Sequence, residues 1–200
     1  MAGNPAPIIG VLALQGDFRE HLAVLQSLGA DARPIRRPEE LAQVAGLVIP
    51  GGESSVIDKL SRMFGLAGPL KDAIRGGLPV YGTCAGLIML ADRVLDAIVG
   101  QESLGGLDIS VRRNAFGSQL DSFETDLDIP AIGAEPMHAV FIRAPVVEQV
   151  GDGVVPLAIL ADGRVVAVEQ GNLLGTSFHP EMTGDTRFHR YFLDRVRATA

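Results

Sequence analysis

The chain has 200 residues, enough for one α/β domain with a substantial core and too few for two ordinary ones. Its formal net charge of −7 excludes a general nucleic-acid binder, which needs a basic surface, and no apolar run in its 47% hydrophobic composition approaches a membrane span. One cysteine excludes an internal disulfide and fits a reducing compartment, so a cytoplasmic location is expected, as is the lack of a secretory signal, because residues 1–5 place no basic segment ahead of an apolar stretch.

Residues 8–14 form a near-continuous apolar run, the mark of a strand covered on both faces. Gln15-Gly16 ends it. Asp17 is expected to cap the following helix, with Glu20 three residues on as in a capping box, and Gly29 to stop that helix. Residues 32–36 read as a short strand, Pro38-Glu39-Glu40-Leu41 as a short helix opened by proline, and residues 46–49 as a third buried strand. This β-α-β-α-β order predicts a parallel sheet with helices on both faces and right-handed crossovers.

The third strand runs into Pro50-Gly51-Gly52-Glu53-Ser54-Ser55. The glycines let backbone approach a ligand closely, so the N–H groups of Gly51 and Gly52 are candidates for an oxyanion hole, and Ser54 is a candidate cap for a helix over residues 56–63. A further helix is expected over residues 66–75. Pro79-Val80-Tyr81 then reads as a strand entering Gly82-Thr83-Cys84-Ala85-Gly86, with Leu87, Ile88, Leu90 and Ala91 at helical spacing after it. This is the cysteine form of a nucleophile elbow, in which small neighbours let the backbone turn and expose the reactive atom. A helix N-terminus there favours thiolate, and the Ala85 N–H is free for a developing oxyanion. A lone cysteine in an apolar segment is more often an inert core residue; the strand-turn-helix context and the flanking glycines carry the functional reading. The elbow helix is expected to reach about Val99. Open α/β sheets bind ligands beyond the carboxyl ends of their strands, so the Gly51-Gly52 loop and Cys84 should share one edge.

After Gly105-Gly106 the texture changes. Residues 107–112 alternate as a half-exposed strand does, Arg113-Asn114-Ala115-Phe116-Gly117 follows as a loop, and residues 121–128 read as an acidic edge strand or loop. Residues 139–145 form a strand closed by proline. Residues 157–160 and 165–168 flank the hairpin turn Ala161-Asp162-Gly163-Arg164, and Gly171-Asn172 turns into a strand over 173–178, so the second half is mostly antiparallel. That strand ends in His179-Pro180-Glu181. In an extended segment, residues two apart face the same way, which brings His179 and Glu181 to one place. Histidine has the pKa of a general base, and a carboxylate can fix its tautomer. A last helix over 186–197 has Phe188, Phe192 and Val196 as its inner face. His21, His138 and His189 have no metal-ligand spacing and read as structural or surface residues; neither a metal nor a cofactor is expected.

Cys84, His179, Glu181 and a glycine-lined loop form a thiol acyl-transfer constellation. The sequence resembles the class I glutamine amidotransferases with a Cys-His-Glu triad and, within them, the glutaminase subunits of pyridoxal 5′-phosphate synthase (the PdxT or SNO family). The resemblance is carried by residues 10–16, Pro50-Gly51-Gly52-Glu53-Ser54, the elbow, Arg113-Asn114-Ala115-Phe116-Gly117, Phe141-Ile142-Arg143-Ala144-Pro145 and Phe178-His179-Pro180-Glu181. It implies a flavodoxin-like, three-layer α/β fold with a central, mostly parallel sheet, as a single glutaminase domain over residues 1–200. It also implies Cys84 as nucleophile, His179 as base, Glu181 as its orienter, and glutamine contacts from Gly52, Glu53, Ser54, Arg113, Ile142 and Arg143. Ammonia would pass to a separate synthase barrel subunit of PdxS/SNZ type, within a large hetero-oligomer, which builds pyridoxal 5′-phosphate from ribose 5-phosphate and glyceraldehyde 3-phosphate; docking to it would order the Gly51-Gly52 loop. Two positions depart from the family pattern: Ser55 stands for threonine, and Ser118 stands where arginine often follows. Two rivals are a hydrolase or peptidase on the same kind of sheet, against which the Arg113 and Arg143 motifs argue, and a degenerate docking module, against which the retained Cys84 and His179 argue.

Overall fold

The structure, a computed structural model, describes residues 6–113 and 122–199. Residues 114–117 of the arginine loop, Ser118 and Asp121 lie outside the described residues. The first half alternates as expected: β1 (Ile8–Leu12), α1 (Phe18–Ser27), β2 (Asp31–Ile35), α2 (Pro38–Leu41), β3 (Gly46–Ile49), α3 (Ser54–Met63), α4 (Ala67–Arg75), β4 (Val80–Thr83) and α5 (Ala85–Leu90). Then come β5 (Ala91–Leu95), β6 (Leu107–Arg112), β7 (Phe123–Leu127), β8 (Met137–Phe141), β9 (Val146–Val150), β10 (Val155–Ile159), β11 (Val165–Gln170), β12 (Leu173–Thr176) and α6 (Arg187–Thr199). The main sheet runs β2-β1-β3-β4-β12-β11-β9-β6-β5, with β10 paired to β11; β7 and β8 form a separate antiparallel pair.

The register decides where the chemistry sits. β3, β4 and β12 are parallel neighbours, with Ile49 beside Gly82, Gly82 beside Gly175 and Thr83 beside Thr176. Their carboxyl ends therefore stop on one line, and the segments leaving that line carry Gly51, Cys84 and His179. Strand pleating sorts the apolar residues by parity. Leu12, Leu47, Ile49 and Val80 point to the face covered by α3, α4 and α5; Ile9, Val11, Val48 and Tyr81 point to the face covered by α1 and α6. On the second face Phe188 stacks on Tyr81 at 6.0 Å between ring centres, and Phe192 and Val196 are buried beside it, so the predicted inner face of α6 is the observed one. Each such ring, removed from water, contributes about 2–3 kcal/mol.

Three local readings are corrected. The elbow helix ends at Leu90, not Val99. Ala91 is already extended, and Met89 C=O is capped by the N–H groups of Leu104 and Gly105 at 2.7 and 3.2 Å. Pairing with β6 (Val94 beside Val111) turns the next residues into an edge strand, so tertiary pairing overrides helical spacing. Asp17 occupies the N-cap position of α1 without a side-chain capping bond, because its carboxylate faces His179 instead. Ser54 is the first residue of α3, behind Glu53 as cap, and its hydroxyl accepts from Gln101 Nε2 at 3.0 Å.

Candidate active site

The elbow is built by backbone crowding. A Cβ on Gly82 would lie 2.5 Å from the carbonyl of Gly86, and a Cβ on Gly86 would lie 2.0 Å from the carbonyl oxygen of Ile49. Only glycine permits this approach, so the two glycines clamp the turn against the end of β3. Cys84 itself sits at φ 49°, ψ −99°, a region costly to any residue with a side chain, by about 1–3 kcal/mol. Its N–H donates to Thr176 O at 2.7 Å, and its carbonyl accepts from Ile88 N–H, which hold the strained turn from both sides. The sulfur is nearly buried, at 7% exposure for the residue.

His179 leaves β12 with its N–H donating to Val140 O at 3.0 Å. Its ring Nδ1–H donates to Glu181 Oε1 at 2.7 Å, which leaves Nε2 for the Cys84 side chain, near enough to favour the charged ring. The pairing of His179 with Glu181 is as expected, but its cause differs: residues Pro180–Met182 form a 3₁₀ turn, which curls the carboxylate back onto the ring where an extended segment had been read. Burial lowers the affinity of His179 for its proton; hydrogen bonds and charge from Cys84 and Glu181 outweigh it and push the imidazole up to about 10. Burial raises Glu181 above the usual carboxylate range, with His179 pulling it back. Asp17 Oδ2 approaches Nδ1 from the other side at 3.5 Å, its own pKa raised by burial. Donor atoms of Asp17, His179 and Glu181 fall within 4.8 Å of one another, but the short His179–Glu181 bond occupies the nitrogen a metal would take.

Gly52, Glu53, Ser54, Arg113, Ile142 and Arg143, the six residues that the resemblance implies for glutamine, line one small cavity of about 40 Å³ together with Cys84 and Ile88. Arg113 donates to Glu53 Oε1 at 2.7 Å and to Gln101 Oε1 at 2.8 Å, so its guanidinium is held across the cavity. Ser55 donates to the same Glu53 oxygen at 3.1 Å, a bond its hydroxyl can make as threonine's would. Arg143 is at φ 45°, a second strained residue at the cavity rim.

The Gly51-Gly52 loop packs directly on the site: a Cβ on Gly51 would meet the His179 ring at 2.4 Å. Gly51 C=O accepts from Asp17 N–H at 3.1 Å, and Gln15 Oε1 accepts from Glu53 N–H at 2.8 Å. Ala85 is the first residue of α5, where the N–H has no intrahelical acceptor. That helix has six residues, so its dipole at Cys84 is weaker than the longer predicted helix would give.

Sequence reasoning missed Gln15, Asp17, His21, Thr83 and Gln101. Gln15 and Asp17 follow β1 onto the same sheet edge as the other loops, and His21 lies one helical turn after Asp17; those positions were the available signal. Gln101 had none, since its loop is placed by long-range packing.

The sequence pattern of the SNO glutamine amidotransferase family matches residues 11–198. The chain is 72% identical over 196 residues to "Pyridoxal 5'-phosphate synthase subunit PdxT" of Leifsonia xyli subsp. xyli, covering 98% of each chain. It is 61% identical to the protein of that name from Streptomyces coelicolor, over 98% of this chain and 96% of that one. A solved structure described as "Crystal structure of glutamine amidotransferase" superposes with a TM-score of 0.88 at 47% identity, over 94% of this chain and 98% of the other. With its elbow, its cavity and a match along nearly its whole length, the chain belongs to the SNO glutamine amidotransferase family.

Proposed function

We propose that this chain hydrolyses L-glutamine to L-glutamate and ammonia with Cys84, His179 and Glu181, and that it is the glutaminase subunit of pyridoxal 5′-phosphate synthase. The observation that carries the reading is the convergence of a strained elbow cysteine, and of an imidazole held by a buried carboxylate, on a cavity lined by Glu53 and Arg113. Family membership makes the chain an amidotransferase; the residue roles are the proposal.

In the proposed reaction, the Cys84 thiolate attacks the side-chain carbonyl carbon of glutamine. N–H groups of Gly51, Gly52 and Ala85 hold the oxyanion. The His179 imidazolium gives its Nε2 proton to the departing nitrogen, which leaves as ammonia, and a γ-glutamyl thioester remains on the sulfur. The now neutral His179 takes a proton from water, whose oxygen attacks the thioester; glutamate leaves and the thiolate returns. Glu181 keeps the proton of His179 on Nδ1 and favours the charged ring. Arg113 supplies a guanidinium for the α-carboxylate of glutamine, exchanging Glu53 for the substrate, and Glu53 is then free for the α-amino group.

Both curated relatives are called synthase subunits. The ammonia is accordingly passed to a synthase barrel subunit of PdxS/SNZ type in a hetero-oligomer, whose docking aligns the Gly51-Gly52 loop. The lone thiol has to stay reduced, which fits the cytoplasm. The test is ammonia release from glutamine by the full chain with and without its cognate synthase subunit. Cys84→Ser should lower release by about 10³-fold or more while leaving subunit binding intact. Wild-type-like release from that variant defeats the assignment.

A further inference from the structure

Behind the triad lies a buried polar chain that the proposed reaction does not use. His21 on α1 and His189 on α6 are fully buried, and His21 Nδ1 stands 2.8 Å from His189 Nε2. The other nitrogen of His21, Nε2, is 3.1 Å from the hydroxyl of Thr83, the residue before Cys84, and 3.5 Å from Glu181 Oε2. That carboxylate oxygen is buried and has no hydrogen-bond partner, whereas its twin Oε1 is on His179. His189 Nδ1 is likewise buried without a partner.

One proton must lie between the two rings, which leaves two arrangements of the neutral pair. If His21 donates, its Nε2 can accept from the Thr83 hydroxyl but turns a lone pair toward a carboxylate oxygen, and an N–H of His189 is buried with nothing to bond. If His189 donates, His21 carries its proton on Nε2, facing Thr83 and Glu181, and only a lone pair of His189 goes unpaired. The second arrangement removes a lone-pair clash and avoids the rarer defect, an orphaned buried N–H. It also turns an N–H toward Glu181 Oε2 at 3.5 Å.

We propose that His21, held in its Nε2–H tautomer by His189, is a positioning residue that anchors the free oxygen of Glu181 and so keeps the other oxygen on His179. The kinetic half of this inference rests on the triad reading above; the tautomer half does not. The His21 proton would tie the orienting carboxylate to Thr83, and through one peptide bond to the nucleophile. The site would then be aligned from beneath as well as from the substrate side. Burial keeps both rings neutral, and His179 adds to the effect on His21. The other ionisable groups facing Glu181 are His179 and Asp17, with the Tyr81 hydroxyl, bonded to Thr176, nearby.

Two measurements decide it. In wild-type chain, two-bond ¹H–¹⁵N spectra of the histidine rings should show His21 as the neutral Nε2–H tautomer at pH 7; the Nδ1–H tautomer, or a charged ring, overturns the proposal whatever any variant does. In the glutaminase assay with the cognate synthase subunit, His21→Leu removes the donor and His21→Gln offers an amide N–H near the same point. Loss of one hydrogen bond to a charged group predicts about a tenfold fall in kcat for His21→Leu, KM within about twofold, and an acid limb of the pH profile moved up by about one unit as Glu181 holds its proton more tightly. His21→Gln should recover most of both. A merely structural histidine would change the folded fraction and leave the limb in place, and that result overturns the proposal. If His21→Leu does not fold, His189→Gln, which can still donate to His21 Nδ1, should keep the limb where it is while His189→Leu moves it; equal limbs in those two variants reject the role of His189 in setting the tautomer. Ammonia release surviving in Cys84→Ser would defeat the triad reading alone and leave the spectral result standing.

Discussion

The two sides of the cavity are built on different principles. The nucleophile side, Cys84 with His179 and Glu181, is buried and set by contacts with no slack: backbone against backbone at Gly82 and Gly86, a strained φ at Cys84 and a 2.7 Å bond from ring to carboxylate. The opposite side is made of long charged side chains, Glu53 and Arg113, that bond each other across the cavity. Rigid preorganisation suits the side where charge develops in the transition state, since a group that must reorient there costs rate. Exchangeable ion pairs suit the side that recognises a substrate carrying both an amino and a carboxylate group, because Arg113 and Glu53 are each satisfied in the free chain and are each replaced by a partner of the right sign on binding. Damage to the first side should therefore appear in kcat or in folding, and damage to the second in KM.

Apart from the nucleophile itself, the largest effect is expected at Glu181. Glu181→Gln keeps the shape and an acceptor for His179 Nδ1–H but removes the charge, so kcat should fall by about 10²- to 10³-fold with KM nearly unchanged. Steady-state ammonia release measures both; a KM effect with normal kcat would put Glu181 on the recognition side. Gly86→Ala comes next. Its Cβ would sit 2.0 Å from a backbone oxygen, which no rotamer change relieves, so the chain should lose about 3 kcal/mol in a denaturant titration. A stable Gly86→Ala would mean the elbow has room, and the argument that crowding forces the strained cysteine would go with it.

How far this contrast was legible in the sequence differs between the sides for the same physical reason. Backbone crowding leaves a local signature, and Gly82-Thr83-Cys84-Ala85-Gly86 and the buried run of residues 46–49 could be read directly. The inner face of α6 was readable because it follows a 3.6-residue period. The His179–Glu181 pair was found for the wrong reason, since a turn and not an extended segment joins them. The helix overrun to Val99 arose because the pairing of β5 with β6 is non-local. The polar layer beneath the site, from His21 to His189, is made by residues 168 positions apart, and nothing in local periodicity joins them. The roles of Glu53, Arg113, Ile142 and Arg143 came through family resemblance; their meeting in one cavity depends on loops that spacing does not place.

Arg113→Ala sharpens the other half of the comparison with a smaller effect. One charge-assisted contact to substrate is worth about 1.5–3 kcal/mol, so KM for glutamine should rise about tenfold or more while kcat stays within about threefold. A fall in kcat at constant KM would make Arg113 part of the rigid side and erase the distinction.

The smallest effect, and the one that reads the environments most directly, is the order in which the histidines titrate. Burial pushes His189 down to about 4 and holds His21 well below its ordinary 6.5; exposed His138 is raised by Asp126 and Glu124, which bond its two nitrogens; His179 is raised to about 10 by Cys84 and Glu181 against the effect of burial. Ring-proton NMR across pH 4–10 should give that order, with the alkaline limb of kcat/KM following His179, whose proton the departing nitrogen needs. For His138 the linkage to stability has a fixed sign. Its folded pKa lies above the unfolded value, so its contribution is fully present below about 6.5 and is lost as pH rises through the folded value. His138→Gln should thus cost stability at pH 6 and nothing well above neutrality, and high salt should shrink the cost at pH 6, because both carboxylates are exposed. A His138 cost independent of pH and salt would mean the ring packs and does not pair. A His179 titrating near 6.5 would mean that its neighbours do not hold the proton on the imidazole, and the rigid side of the cavity would lose the coupling that sets it apart.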